Sequence, residues 1–135
     1  MVDSVAGSPA RGLVAADTNA IHDLLGAQVE ARVVILREAF QVGTLLLPPP
    51  VLSEVLSDPT LPSEKAALVR MLPLLEVLDG YWQRAGMLRA FLLAHGRKGF
   101  LADVLIAQSC IDHDIPLITY DRDFRHFERA GLKLM

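Results

Sequence analysis

Short apolar runs alternate along the chain with longer stretches in which apolar positions recur every three or four residues. The first pattern marks buried strands and the second helices. Their alternation predicts an α/β domain on a parallel sheet. Residues 13–16 are apolar throughout and stop at Asp17-Thr18-Asn19, a strand ending in a polar turn. A helix is expected to follow through Ile21, Leu24 and Leu25 to Gly26. A second, over about 29–40, sets Val33, Leu36 and Phe40 at helical spacing and ends at Gly43.

Residues 44–47 read as the second strand, stopped by Pro48-Pro49-Pro50. Pro50 suits the first turn of a helix over 51–57, and Asp58-Pro59 closes that helix because the residue before proline avoids helical geometry. Ser63-Glu64 are expected to cap a helix to about Met71. A third strand, 74–78, follows Pro73, and a helix over 81–94 sets Trp82, Ala85, Leu88 and Leu92 in register. The 101–111 helix has few polar positions, so burial on most sides is expected. A fourth strand at 117–119, a short helix at 123–130 and a last strand at 132–134 complete the pattern. The expectation is one three-layer α/β domain over residues 13–135, with a five-stranded parallel sheet and helices on both faces. Residues 1–12, small and polar, read as a flexible tail.

Composition adds four points. With 135 residues, 52% of them hydrophobic, and a mean hydropathy of +0.35, the chain can fill one large core and keep an apolar surface for self-association. No apolar run reaches the roughly 18 residues that span a bilayer, and residues 1–12 lack the apolar centre of a signal peptide. The lone cysteine, Cys110, sits in an apolar stretch and fits a buried thiol in a reducing cytoplasm. The formal net charge is −3. Binding a polyanion must therefore rest on local patches or on a bound cation.

Four acids stand out. In an open α/β sheet, ligands bind beyond the carboxyl ends of the strands. Asp17 follows the first strand directly, and Asp121 lies two residues past Thr119 at the end of the fourth. Glu54 and Asp103 sit on apolar helices, where an unpaired carboxylate costs several kcal/mol or shifts its pKa upward. Each has a plain alternative: a helix cap for Asp17, a narrow exposed face for Glu54, a helix-dipole contact for Asp103 and a turn for Asp121. One shared site accounts for all four together. Such a cluster repels itself unless a hard divalent cation, magnesium or manganese, joins it. That cation would activate water and stabilise a leaving oxyanion, the chemistry of phosphodiester hydrolysis.

Four stretches resemble the motifs of PIN-domain nucleases, especially the toxin component of VapBC-type toxin–antitoxin pairs. They are Val14-Ala15-Ala16-Asp17-Thr18-Asn19, Val51-Leu52-Ser53-Glu54-Val55-Leu56, Leu101-Ala102-Asp103-Val104-Leu105-Ile106-Ala107 and Leu117-Ile118-Thr119-Tyr120-Asp121-Arg122-Asp123-Phe124. The resemblance implies a magnesium- or manganese-dependent endoribonuclease, a homodimer and an antitoxin that blocks the site. It implies Asp17, Glu54, Asp103 and Asp121 as the acidic set, with Asp17, Asp103 and Asp121 on the metal. Thr18, Asn19 and Thr119 match supporting positions, and Asp123 would be an extra acid.

Arg97 and Lys98, which precede the Asp103 helix, and Arg122 beside Asp121 are candidate phosphate contacts; Arg125 joins them, and the alternative for all is a solvated loop. His22, His95, His113 and His126 show no ligand spacing. Tyr81 and Trp82 read as core or dimer surface rather than base-stacking groups. One rival reading is a receiver-like phosphoacceptor module using Asp79, Thr119 and Lys133; it leaves Glu54 and Asp103 unexplained. Another is a catalytically silent PIN-fold interaction domain, against which the four acids argue.

Overall fold

The computed structural model describes residues 12–26 and 30–135. The expected tail therefore lies outside the described residues except for Gly12, as does position 29, the expected start of the second helix. The innermost strand, β1 (Val14–Ala16), is buried at every position. It has no polar face to turn to water, as befits a strand covered on both sides. It pairs in parallel with β2 (Leu45–Leu46) on one side and β3 (Leu117–Ile118) on the other, giving the order β2-β1-β3.

Three strands, not five, form the sheet among the described residues. The two outer strands expected at 74–78 and 132–134 shrink to single parallel bridges, Leu47 to Leu74 and Leu117 to Leu134. Proline explains the first. Leu47 donates to the Pro73 carbonyl (2.9 Å) and Leu75 to the Leu47 carbonyl (2.8 Å), but Pro49, the next position to face that segment, has no donor to extend the ladder. On the far side, Leu117 donates to the Lys133 carbonyl (2.8 Å) and Met135 to the Leu117 carbonyl (3.0 Å). Leu132, the first residue of that expected strand, instead donates to the Phe127 carbonyl (3.2 Å), closing the preceding turn at Gly131.

The helices between strands are α1 (Thr18–Leu25), α2 (Ala31–Val42), α3 (Pro49–Leu56), α4 (Ser63–Arg70), α5 (Tyr81–Ala94) and α6 (Leu101–His113), followed by a 3-10 segment, Arg122–Ala130. Gly43 stops α2 in the left-handed conformation (φ 80°) that side chains resist. Pro49 and Pro50 both fit the first turn of α3, where no helical donor is lost. Ser63 is the first residue of α4 rather than its cap; Pro62 holds the cap position without a side-chain bond. The β1–β2 connection carries α1 and α2, and the β2–β3 connection carries α3 to α6.

The core joins Leu36 of α2, Leu45 and Leu47 of the β2 region, Val51 and Val55 of α3, Ile106 of α6 and Phe124 of the 3-10 segment. Burying each such side chain stabilises the fold by about 1.5–3 kcal/mol. Cys110 lies in this core as a free, buried thiol, and burial pushes its pKa up. In α5, Ala85, Leu88 and Leu92 face the core as expected, but the first position of that face is Tyr81, not Trp82. Tyr81, Ala85 and Leu92 are buried, whereas Trp82 is 64% exposed. Tyr81 decides this, because its hydroxyl donates to the Leu105 carbonyl of α6 (2.7 Å). Arg84 of α5 clamps Asp112 of α6 through Nε and Nη2 (3.0 and 2.6 Å), and Gln108 donates to the same carboxylate (2.8 Å). These bonds fix α6, and with it Asp103, against α5.

Candidate active site

The site grows from the two central strand ends. Asp17 follows β1, and its amide donates to the Ile118 carbonyl of β3 (3.2 Å). Its side chain caps α1: Oδ1 accepts from the Ala20 amide (2.9 Å). Oδ2 accepts a short hydrogen bond from the Thr119 hydroxyl. Thr119 Oγ1 in turn accepts from the Asp121 amide (3.0 Å), and Asp121 Oδ1 accepts from the Asp123 amide (2.9 Å). One hydroxyl thus holds the buried Asp17 carboxylate and shapes the turn that presents Asp121. The capping and turn roles available to Asp17 and Asp121 are both realised within the cluster.

Glu54, exposed on α3, accepts from the Thr18 hydroxyl (2.5 Å), which ties α3 to the start of α1. Asp103 lies in the first turn of α6. These acids, with Thr18, Asn19, Ile106 and Phe124, line one cleft of about 170 Å³. Asp123 stands close enough to add to the field on Asp103.

The electrostatics follow from burial and crowding. Burial, and then the charges of Asp121, Glu54, Asp17 and Asp123, push the Asp103 pKa up to about 6. Burial also raises Asp17, against the lowering by its bonds from Thr119 and Ala20. The only ion pairs among the described residues, Arg84–Asp112 and Lys133–Asp114, involve none of these acids. The donor set is entirely hard oxygen carrying surplus negative charge, which fits a divalent cation. Among the described residues no three of these side chains converge as direct ligands on one point, so water would have to complete such a cation's shell.

The candidate cations sit elsewhere around this cleft. Arg122 lines a neighbouring polar cavity that shares Asp121 with the cleft. Arg97 lines a third cavity, and Lys98 is exposed. Arg32 escaped sequence reasoning. From α2 it donates to the Thr119 carbonyl (3.0 Å) and lies over the Tyr120 ring (5.2 Å), bonds that only tertiary packing creates. A separate apolar cavity of about 290 Å³, lined by residues such as Ile21, Phe40 and Leu72, holds none of the acids. Asp79 is exposed before α5, and Lys133 pairs with Asp114 (2.7 Å), so the receiver-like constellation is not assembled.

The PIN domain profile matches residues 14–130. The chain belongs to the PIN domain family, whose members are generally nucleases. No curated protein matches by sequence. Solved structures share the fold. A chain of VapBC2 from Rickettsia felis, bound to a DNA fragment from their promoter, superposes with a TM-score of 0.71 at 19% identity, covering 91% of this chain and 97% of that one. FitAcB from Neisseria gonorrhoeae gives 0.67 at 19% identity, with 91% and 96% covered. VapBC-5 from Mycobacterium tuberculosis, a member of the VapBC family of toxin–antitoxin systems, gives 0.58 at 18% identity, with 92% and 96% covered.

Proposed function

We propose that this PIN domain is a metal-dependent endoribonuclease, the toxin of a toxin–antitoxin pair. One observation carries the catalytic reading: four carboxylates share one cleft with no cationic side chain paired to any of them among the described residues. Asp17, Asp103 and Asp121 would hold magnesium or manganese, in part through bridging water. Bound there, the ion supplies a local positive charge and an acidified water for phosphodiester hydrolysis. Glu54, held by Thr18, takes up the proton of the attacking water. Thr119 fixes Asp17 and the Asp121 turn, Thr18 and Asn19 line the entrance, and Asp123 supports Asp121. Arg97, Lys98 and Arg122 contact substrate phosphates.

The partner reading rests on fold likeness to members of toxin–antitoxin complexes. A cognate antitoxin would cover the cleft. Self-association rests on α5, which buries Tyr81, Ala85 and Leu92 but leaves Trp82, Met87 and Leu93 exposed. These exposed apolar side chains call for a second cover, and a two-fold homodimer supplies it. No helix among the described residues is long and apolar enough to cross a membrane. We place the working protein in the cytoplasm, with residues 13–135 as its nuclease domain.

The test is cleavage of a mixed-sequence RNA by the purified protein. Millimolar magnesium or manganese should give discrete internal cuts and raise the melting temperature, and excess chelator should abolish both. Intact RNA and an unmoved melting temperature with either metal would refute the reading.

A further inference from the structure

We propose that single-stranded RNA leaves the acidic cleft in one direction only, along an arginine track formed by two further cavities. This deepens the nuclease reading and rests on it. The cavities are linked by shared residues. Asp121 belongs both to the acidic cleft and to a polar cavity of about 400 Å³ that contains Arg32, Arg122 and Arg125. Arg125 belongs both to that cavity and to a third, of about 180 Å³, that contains Arg97, His126 and Arg129.

Five arginines thus follow one another from the cleft in a chain whose net charge is −3. None pairs with an acid among the described residues, although Asp123 and Glu128 lie on the same 3-10 segment as Arg122, Arg125 and Arg129. Arg32 is held in place by the Thr119 carbonyl and the Tyr120 ring. The loop that shapes the acidic cleft therefore also positions the first arginine of the track. Unpaired guanidinium groups in consecutive polar cavities suit the regularly spaced phosphates of a nucleic-acid strand.

The edge of the cleft at Glu54 differs. Past Glu54 lies an open cavity of about 460 Å³ lined by Pro49, Val77, Trp82, Leu101 and Leu105 and by no cationic side chain. Phosphates have no counter-charge there. The strand is held by its backbone on the Asp121 side alone.

The test measures binding of a fluorescent 12-nucleotide RNA in chelator, across a salt series. Three variants are compared with the parent: Arg122→Gln/Arg125→Gln, Arg97→Gln/Arg129→Gln, and Arg70→Gln, an exposed arginine on α4 outside these cavities. Each track pair should weaken binding about tenfold and flatten the logarithmic salt slope by about 0.7 or more, the single-strand value per phosphate. Arg70→Gln should change neither. Unchanged slopes for the track pairs, or an equal fall with Arg70→Gln, would overturn the track. So would loss of binding to a polyglutamate peptide with RNA binding intact, which would make the arginines a protein contact. Cleavage by the parent in magnesium, run in parallel, separates the two readings. Cutting with flat variant slopes keeps the nuclease and removes the track. Slopes that fall without cutting keep the track as a binding surface and remove the nuclease.

Discussion

The two edges of the acidic cleft are built from different chemistry. On the Asp121 side, Arg32, Arg122 and Arg125 surround a polar cavity. On the Glu54 side, Val77, Trp82 and Leu101 surround an apolar one. One edge meets the cleft at Asp121 and the other at Glu54, and only the first carries charge that a phosphate backbone can use. The contrast explains how an acidic protein can act on a polyanion. Attraction is confined to one flank, and the other flank is left for apolar contacts, which depend on buried area rather than on salt.

The two flanks should therefore respond independently. The largest effect is expected from Trp82→Ser combined with Val77→Ser, both on the apolar flank. If that face forms the dimer, losing a buried aromatic anchor should raise the dimer dissociation constant about 100-fold. Light scattering at micromolar concentration should then report a monomer mass, while the salt slope of RNA binding stays at the parental value. A changed slope would show that the flanks are coupled. A parent that is already monomeric would remove the dimer.

Thr119→Val strikes the joint between the flanks. It removes the donor to the buried Asp17 carboxylate and the acceptor of the Asp121 amide. Leaving such groups unsatisfied costs about 1–3 kcal/mol, which chemical denaturation would read. Parental stability would mean that these bonds do not hold the turn.

A smaller effect is expected from pH in chelator. Burial pushes the folded Asp103 carboxyl up to about 6, above the ordinary aspartate value of 3.8. Between those values the folded state binds more protons than the unfolded one. Its contribution therefore falls as pH rises from about 4 to about 6 and is flat above. Asp103 is partly exposed to solvent, so after screening the loss is about 1 kcal/mol. Asp103→Asn should remove this component from the melting curve, and identical pH profiles for parent and variant would contradict it.

How much of this was legible in the sequence depended on the kind of signal. Asp17, Glu54, Asp103 and Asp121 were each anomalous where they stood, at a strand end or in an apolar helix, and that could be seen one residue at a time. The central strands could be read because they are fully apolar. The outer two could not, since pairing there is limited by Pro49 on one side and by the Gly131 turn on the other, and apolar content does not report either. At the start of α5 Tyr81 and Trp82 both fit the face of Ala85, Leu88 and Leu92, one four residues before Ala85 and the other three; the Tyr81 bond to Leu105 decides between them. Arg32 was invisible because its partners, Thr119 and Tyr120, are distant in sequence and meet it only in the fold. Arg97 shows the converse. Closeness to Asp103 in sequence suggested a shared site, whereas it lines a cavity two steps away from the acids.

The most direct test of the acidic cleft is Asp103→Asn, read twice on one preparation: melting temperature in chelator and RNA cleavage rate in magnesium. Asparagine keeps the shape and removes one negative charge from a crowded cluster. Without metal, the variant should melt at or slightly above the parent, because repulsion worth on the order of 1 kcal/mol is relieved. With metal, cleavage should fall by at least about 100-fold, because a ligand charge is gone. A variant that melts lower than the parent and still cuts RNA at a comparable rate would make Asp103 a structural acid and contradict the proposed centre.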